Sequence, residues 1–297
     1  MNSVEIKKDV ENKIIKNLNG HSGCVVNLIQ RNNLIMVSKQ SGVKTYNMRL
    51  KKQCKKQSSF VPAYGVYAPR VLEQGLTDGL FYFDMEFVQG KTLAEYTGDI
   101  TISEIVDFIR CLFKCLYWDN HKVSPKAQYI FEQKIFSLEV SLRDYSELKL
   151  PFAILKEFDW SKIYKSFCHG DLTLENILIT QDKKLYLIDF LDSFYNSWMI
   201  DIAKLLQDLE VKWSFRNEII SSNRDLRLQV AKEALLEEIL KTQNGDENLN
   251  SIYHLLLLNL IRIYPYTKDD KTLQFLNNAV DKICNKLMSS KRGVLLR

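Results

Sequence analysis

Four side chains of the kinds that handle phosphates and divalent cations lie close together in the middle of the chain. They are His169, Asp171, Asn176 and Asp189. An apolar run begins only at Ile177, so Asp171 and Asn176 are predicted to lie on a loop that leads into a strand. Mg²⁺ prefers oxygen ligands and is commonly held by one or two protein oxygens together with substrate phosphates. These residue types therefore indicate phosphoryl transfer, with one carboxylate left to handle an attacking hydroxyl.

A β-hairpin is predicted directly after this loop. The sequence divides into a buried strand at 177–180, a polar turn at 181–184 and a second buried strand at 185–190. If Thr180 pairs with Leu185, then Asn176 lies opposite Asp189, and directly opposed residues have Cβ atoms about 5 Å apart. We therefore expect the amide oxygen and the carboxylate to share one cation, provided that the register is not shifted by one residue. Taken singly, the same residues also suit a polar loop that caps a hairpin, with Asp171 serving only a turn.

The motif His169-Gly-Asp171-x-x-x-x-Asn176, followed by Leu-Ile-Asp189-Phe, resembles the catalytic signature of the aminoglycoside phosphotransferase and choline kinase-like family. His-Gly-Asp separates it from the His-Arg-Asp of typical protein kinases. The resemblance extends through residues 198–209 and covers most of the chain. It implies an α+β, two-lobed protein-kinase-like fold, with a small antiparallel β-rich N-lobe and a larger, mainly helical C-lobe. It also implies an enzyme that uses ATP and Mg²⁺ to phosphorylate a small molecule.

The resemblance gives each of these residues a role. Asp171, His169 and Asn176 are expected to be the catalytic residues, with Asp171 orienting or deprotonating the acceptor hydroxyl. Asn176 and Asp189 are expected to hold Mg²⁺, which spreads charge across the phosphates. His169 is expected to pack beneath the metal-binding turn and to hydrogen-bond backbone rather than to act as a base. Asp201 is expected to brace the catalytic loop, a role that competes with simple capping of its own helix.

A nucleotide-binding lobe is expected before residue 90. Strand candidates at 13–18, 24–29 and 34–39 alternate with turns. Backbone N–H groups of the first turn can approach phosphates, at Gly20, Ser22 and Gly23. The incomplete glycine motif equally suits an ordinary hairpin turn. Lys39 ends the third strand, where kinase-like folds place the lysine that pairs with the α- and β-phosphates.

The run Met85-Glu-Phe-Val resembles the hinge that joins the two lobes in this family. The backbone of three residues is then expected to hydrogen-bond the adenine edge: Glu86, Phe87 and Val88. Because backbone rather than side chain makes the contact, a core strand followed by a turn fits the same residues.

One feature departs from the family pattern. Many kinase-like folds orient the strand lysine with a helix glutamate, but residues 44–57 look helical and contain six basic residues and no acid. Gln53 or Gln57 is a candidate neutral replacement, and otherwise nucleotide alone holds the lysine. The basic run is explained as well by a solvated helix face as by binding to nucleic acid or to an acidic membrane.

A boundary between the lobes is expected at Gln89-Gly90. Residues 1–90 then form the nucleotide-binding lobe, and residues 91–297 form the lobe with the catalytic loop, metal site and acceptor pocket. Residues 66–76 are expected to continue the first sheet, and 80–88 to form a buried strand after a turn at 77–79. Helices are expected from Lys91 and at 102–117, 126–145, 152–164, 201–213, 225–240, 249–263 and 271–288.

Composition narrows the class of protein. The chain has 297 residues, 46% of them hydrophobic, and a net charge of +5, which is enough apolar material for a large core. The mild positive charge suits a nucleotide but does not require nucleic acid. The longest apolar stretch, 255–263, is interrupted by Asn259 and Arg262 and is too short to cross a bilayer. We expect a cytoplasmic enzyme that has no membrane or nucleic-acid partner, and the oligomeric state stays open.

The acceptor is expected to be a small molecule with a hydroxyl group. Residues 200–250 mix acids and bases, so the acidic pocket that a polycationic aminoglycoside needs is not indicated. A quaternary amino alcohol needs an aromatic cage. Such a cage has candidates, although aromatic side chains also stack on sugars or fill cores: Tyr195, Trp198, Trp213, Tyr264 and Tyr266. A neutral or weakly anionic sugar-like alcohol is favoured.

Two other classes of protein remain in view. A pseudokinase-like scaffold is favoured by the missing helix glutamate, but Asp171, Asn176 and Asp189 at working spacing argue against it. A protein kinase is disfavoured because no Ala-Pro-Glu segment follows Asp189.

Overall fold

The computed structural model describes residues 13–18, 23–117 and 122–291. The strands are β1 (Lys13–Leu18), β2 (Cys24–Arg31), β3 (Leu34–Ser41), β4 (Val66–Tyr67), β5 (Val71–Thr77), β6 (Leu80–Glu86), β7 (Lys91–Thr92), β8 (Ile177–Ile179) and β9 (Leu185–Leu187). The helices are α1 (Asn47–Ser58), α2 (Leu93–Tyr96), α3 (Ile102–Tyr117), α4 (Ala127–Ser141), α5 (Lys149–Glu157), α6 (Trp198–Leu209), α7 (Ser222–Leu240), α8 (Gly245–Ile261) and α9 (Asp270–Lys291). Gly20 and Ser22 lie outside the described residues.

The N-lobe is built on a five-stranded antiparallel sheet in the order β1-β2-β3-β6-β5. Alternate side chains of β6 point to one face, and these pack against Leu50 and Cys54 of α1. The residues of β6 involved are Phe81, Phe83 and Met85. The result is a small apolar core that fixes α1 against the sheet.

The C-lobe is mainly helical and contains the large core of the molecule. Helix α8 is buried along almost its whole length because it packs between α6, α7 and α9, and most of its buried side chains are apolar. No helix among the described residues is both long enough and apolar enough to span a bilayer. The α+β, two-lobed architecture predicted from the sequence is confirmed.

A second, four-stranded sheet joins the lobes, in the order β4-β9-β8-β7. We expected residues 66–76 to continue the N-lobe sheet, and for Val66 and Tyr67 this is wrong. They pair in parallel with Leu185 and Tyr186 of β9, in the hairpin β8–β9 that follows the predicted catalytic loop and is called the catalytic hairpin below, and only β5 joins the N-lobe sheet. Pro69 separates the two strands, since proline cannot donate a ladder hydrogen bond.

Several helix boundaries differ from the sequence prediction because local caps decide them. Helix α5 ends at Glu157, not near residue 164, because the Asp159 carboxylate accepts the N–H of Ser161 and begins a separate short turn. The helix expected at Lys91 begins at Leu93, where Thr92 forms a capping box with Glu95.

Candidate active site

A cavity of about 650 Å³ lies between the N-lobe sheet and the hairpin β8–β9. Its size suits a nucleotide-sized ligand, since small-molecule sites commonly have volumes of about 300–1,000 Å³. Six residues predicted to bind nucleotide or metal line it: Lys39, Glu86, Phe87, Val88, Asn176 and Asp189. Strand β6 ends at Glu86, so the backbone groups of Phe87 and Val88 lie beyond its ladder.

The predicted phosphate flap is only partly described. Gly23 has a φ of +66°, which favours glycine, and its carbonyl accepts the N–H of Gly42 at 3.0 Å. Leu18 and Val26, on either side of the turn, line the cavity, whereas Gly23 is not among the described residues that do.

Helix α6 presents polar side chains to the catalytic loop at successive turns. We call Asp201, Lys204 and Asp208 the α6 polar stripe, since spacings of three and four place them on one helix face. Asp201 accepts the backbone N–H groups of His169 and Gly170 at 2.6 and 2.7 Å. Asp208 accepts the N–H of Leu174 at 2.7 Å. The stripe therefore fixes the loop on both sides of Asp171.

Asp171 contacts the middle residue of this stripe. The ammonium of Lys204 lies 3.0 Å from Asp171 Oδ1. Burial by itself raises the pKa of Asp171, but Lys204 and, more weakly, His169 and Arg262 outweigh it and bring the pKa below its ordinary value. The carboxylate is therefore ionised at neutral pH, which makes it suited to orienting a hydroxyl but a weak proton acceptor.

The imidazole of His169 is fully buried and bonds only to backbone. Its Nε2 donates to the Ile188 carbonyl at 2.8 Å, and its Nδ1 accepts the N–H of Asp171 at 3.3 Å. Burial lowers the pKa of His169, with Asp201 opposing, and one proton on Nε2 satisfies both bonds. The His169 carbonyl also accepts the N–H of Leu191 at 2.9 Å. His169 therefore joins the catalytic loop to residues on both sides of Asp189.

Glycine at position 170 is required by this close approach. Gly170 has a φ of +98°, and a Cβ there would lie 2.6 Å from the carbonyl oxygen of Leu191 and 2.4 Å from Ser193 Oγ. A larger side chain at this position is incompatible with both the backbone conformation and the neighbouring segment. This explains why the motif reads His-Gly-Asp.

The register expected for the catalytic hairpin is wrong by one residue. Ile177 pairs with Leu187, so Asn176 lies opposite Ile188, whose N–H it accepts at 3.0 Å. The turn is one residue shorter than expected because Lys183, with a φ of +62°, closes it in the left-handed region.

Asn176 and Asp189 nevertheless line the same cavity. Asp189 has a φ of +59°, which takes it out of the strand conformation directly after the last ladder bond. The Asn176 Nδ2 donates to the Asp171 carbonyl at 2.7 Å, and the reverse orientation would bring two oxygens together. The Asn176 Oδ1 and the Asp189 carboxylate are therefore two oxygens of this cavity that suit a hard cation.

Lys39 is buried and its ammonium contacts Asp189 Oδ1 directly. Neither suggested glutamine is hydrogen-bonded to Lys39 in the described part of the chain: Gln53 donates to Tyr46 Oη and Gln57 to the Pro69 carbonyl. In place of a helix glutamate, the acidic partner of Lys39 is the aspartate of the catalytic hairpin.

Two basic residues of α1 contact the segment 191–196 that follows Asp189. Lys56 donates to the Leu191 carbonyl at 2.5 Å and to Asn196 Oδ1 at 3.0 Å. Lys52 pairs with the Asp192 carboxylate at 3.1 Å. Part of the basic helix therefore contacts the segment after Asp189, in the other lobe. This contact was not among the interpretations considered for the basic run.

Sequence reasoning missed Lys56, Lys204 and the far wall of the cavity. That wall comprises Glu175, Ser214, Phe215, Glu218 and Arg224. Lys204 had a detectable signal, since it lies three residues after Asp201 on the same face of an otherwise apolar helix. Lys56 and the cavity wall had none, because their contacts join segments far apart in the chain.

Comparison with known proteins identifies the family to which the chain belongs. The phosphotransferase enzyme family model matches residues 58–225, and the chain belongs to this family. Among solved structures, an aminoglycoside-3'-phosphotransferase of type VIII is 16% identical, with a TM-score of 0.43, over 76% of this chain and 93% of that one. A mutant of the PknI kinase domain of Mycobacterium tuberculosis is 11% identical, with a TM-score of 0.43, over 92% and 95%. No curated protein matches the chain.

Proposed function

We propose that the protein transfers the γ-phosphate of ATP to a hydroxyl group of a small molecule. The observation that carries this proposal is the cavity that brings together the hinge residues, the Lys39–Asp189 pair and Asn176, with the Asp171 carboxylate on the adjoining loop. Membership of a phosphotransferase family supports the same reaction.

The residues of the cavity divide between nucleotide and metal. The backbone of Glu86, Phe87 and Val88 holds the adenine edge, and Lys39 pairs with the α- and β-phosphates. Backbone contacts of Gly20, Ser22 and Gly23 with the phosphates stay a prediction from the sequence, since Gly20 and Ser22 lie outside the described residues. Asn176 and Asp189 hold Mg²⁺, which neutralises developing charge on the phosphates. In this proposal residues 1–90 form the nucleotide-binding lobe, and residues 91–297 carry the acceptor.

Asp171 acts on the acceptor. An oxygen lone pair of the hydroxyl forms a bond to the γ-phosphorus, and the bond from that phosphorus to the β–γ bridging oxygen breaks, which releases ADP. The hydroxyl proton leaves through the Asp171 carboxylate to solvent. Since the pKa of this carboxylate is low, its main contribution is to orient the hydroxyl in a loose transition state that needs little basic assistance. His169 is a positioning residue, because it bonds only to backbone.

The test combines binding with turnover. We expect Mg²⁺ and a non-hydrolysable ATP analogue to raise the melting temperature, and ATP to yield ADP only when a suitable alcohol is present. A panel of sugars, polyols, amino alcohols and aminoglycosides identifies the acceptor, and GTP in place of ATP tests the nucleotide. Nucleotide binding without ADP formation on any acceptor would favour a scaffold. Because the proposed reaction consumes ATP, we expect the protein to act in the cytoplasm.

A further inference from the structure

The far wall of the cavity is built from two segments that lie apart in the chain. One contributes Glu175, which belongs to the short turn Leu174–Asn176 of the catalytic loop. The other, residues 213–224, connects α6 to α7 and is called the wall segment below. It contributes the remaining residues of the wall: Ser214, Phe215, Glu218 and Arg224. Because Asn176 also lines the cavity, the relative position of the two segments determines the shape of the cavity.

The Asp208 carboxylate joins the two segments. Its Oδ2 accepts the backbone N–H of Leu174 at 2.7 Å, and its Oδ1 accepts the N–H and the hydroxyl of Ser214, both at 2.9 Å. Asp208 is fully buried, so the protein itself must supply its hydrogen-bond partners. Burial raises the pKa of Asp208 to about 6, and the same three donors oppose this rise. At neutral pH the carboxylate is therefore mainly ionised and able to accept all three hydrogen bonds.

Local backbone geometry directs Ser214 to this carboxylate. The Lys212 N–H bonds to the Asp208 carbonyl at 2.9 Å, and Lys212 has a φ of +61°, which reverses the chain after α6. The next residues form the short turn Trp213–Phe215. The first N–H groups of a helical turn have no acceptor within that turn. Asp208 supplies one here and another at Leu174–Asn176, so one side chain caps two turns that both border the cavity.

The other side chains of the wall segment are connected to Ser214 through Phe215. The ring of Phe215 is buried, and its centre lies 5.4 Å from the guanidinium carbon of Arg224. Arg224 Nη1 in turn donates to the Glu218 carboxylate at 3.1 Å. A displacement of Ser214 would therefore disturb the whole wall, because closely packed groups transmit strain to one another.

We propose that Asp208 is a positioning residue for the nucleotide, because it holds the wall segment against the catalytic loop and so keeps the cavity in the shape that binds the nucleotide. This inference rests on the proposed function, which assigns the cavity to ATP. Asp208 acts through Ser214 and Leu174, and it is not among the described residues that line the cavity. Without this link, binding must order the wall as well as the ligand, which lowers the affinity. Bound nucleotide restores the order of the wall, so the transfer step should suffer less than binding.

The variant Asp208→Asn tests the link directly. The amide keeps the size of the carboxylate but offers a single acceptor oxygen, so one of the two segments loses its partner. We expect the dissociation constant of ADP, measured by calorimetry in EDTA, to rise about tenfold. EDTA removes any contribution of Mg²⁺ to binding. The KM for ATP should rise similarly, whereas kcat at saturating ATP should fall less than about threefold. A residue that only stabilised the fold would not separate KM from kcat in this way.

Ser214→Ala removes one hydrogen bond to the wall segment and leaves the Leu174 bond intact. It should raise the dissociation constant of ADP about threefold. Combined with Asp208→Asn, its effect should not add, because the hydroxyl acts through Asp208. Additive effects would contradict the inference. Asp159→Asn is the matched control and should leave ADP affinity within about twofold. This exposed carboxylate accepts the N–H and hydroxyl of Ser161 in the same way, and it is not among the described residues that line the nucleotide cavity.

The outcomes distinguish this inference from the function on which it rests. Weaker ADP binding in Asp208→Asn, when the parent phosphorylates no acceptor, supports the positioning role and contradicts phosphotransfer. Phosphotransfer by the parent with unchanged ADP affinity in Asp208→Asn supports the function and overturns the positioning role. A loss of kcat larger than the rise in KM would assign Asp208 to the catalytic loop alone and would also overturn it. If Asp208→Asn does not fold, unchanged ADP affinity in Ser214→Ala overturns it. Absence of nucleotide binding by the parent overturns both.

Discussion

The Lys56 ammonium lies 2.5 Å from the backbone oxygen of Leu191, two residues after Asp189. This contact joins the helix of the N-lobe to the segment that carries the proposed metal ligand. His169 also holds this segment, since its carbonyl accepts the Leu191 N–H at 2.9 Å. The position of α1 is thus coupled to the proposed metal site through a lysine and a backbone carbonyl rather than through a glutamate paired with Lys39.

Lys56→Met should therefore reduce kcat about tenfold, since the charged hydrogen bonds from Lys56 to Leu191 and Asn196 are lost. The Mg²⁺ concentration for half-maximal rate should rise, while nucleotide affinity without metal stays unchanged, because Lys56 does not line the cavity. Lys56→Arg should restore part of the rate. Lys55→Met, on the exposed side of the same helix, is the control. An equal rise in the KM for ATP without a change in kcat would contradict the positioning role.

Asp171→Asn should lower kcat by about 10²-fold, because the amide keeps the shape of the carboxylate but loses the charge that orients the acceptor hydroxyl. Binding of Mg²⁺ and an ATP analogue should change little, because Asp171 is not among the described residues that line the nucleotide cavity. Calorimetric binding and single-turnover ADP formation measure the two effects separately. Asp182→Asn in the exposed hairpin turn serves as control. Full turnover in the Asp171 variant would show that another residue handles the acceptor.

The loop that carries the candidate catalytic residues was predictable from local sequence, whereas the pairing of the hairpin after it was not. The residue types and spacing of His169, Asp171 and Asn176 specify a loop before a strand, and the structure has that loop. The hairpin register depends on Lys183 entering the left-handed region, which short-range pattern does not specify. The placement of Asn176 and Asp189 at one cavity thus arises from a left-handed aspartate and not from the direct opposition that we expected.

Long-range partners set the remaining limit. The missing helix glutamate was visible in the sequence, but the contact of Lys39 with Asp189 joins residues 150 positions apart. The pairing of Val66 with the catalytic hairpin was not predicted because its partner, Leu185, lies in the other half of the chain. By contrast, the α6 polar stripe was predictable from the sequence, although Lys204 was missed, since helical spacing alone puts Asp201 and Lys204 on one face.

Asp189→Ala should remove the part of nucleotide stabilisation that depends on Mg²⁺. In the parent protein, ADP with Mg²⁺ should raise the melting temperature more than ADP with EDTA, since ligand binding to the folded state stabilises it. In the variant the two shifts should coincide. Asp192→Ala is the matched control, because Asp192 lies in the same segment as Asp189 and its carboxylate pairs with Lys52 of α1. A metal-dependent increment that survives in Asp189→Ala would rule out its role as ligand.

Glu210 gives a prediction for stability that is independent of the active site. Its side chain is buried, and Lys282, Lys286 and Lys232 lie 2.8, 3.5 and 3.6 Å from its carboxylate. Burial raises its pKa, but the three lysines outweigh this and lower it from 4.5 to about 2. The folded state therefore binds the proton less readily than the unfolded state. Its contribution is fully present above pH 4.5 and is lost as the pH falls towards 2.

Glu210→Gln should accordingly lower the free energy of unfolding at pH 7 by about 2–3 kcal/mol. The difference from the parent should shrink as the pH is lowered from 4.5 towards 2, because the parent carboxyl then becomes neutral as well. Urea denaturation at a series of pH values measures both effects. Glu233→Gln, whose side chain is 54% exposed beside Lys232, should cost less than about 0.5 kcal/mol. A Glu210→Gln deficit that stays constant with pH would assign the loss to packing and not to the charge, since packing does not titrate.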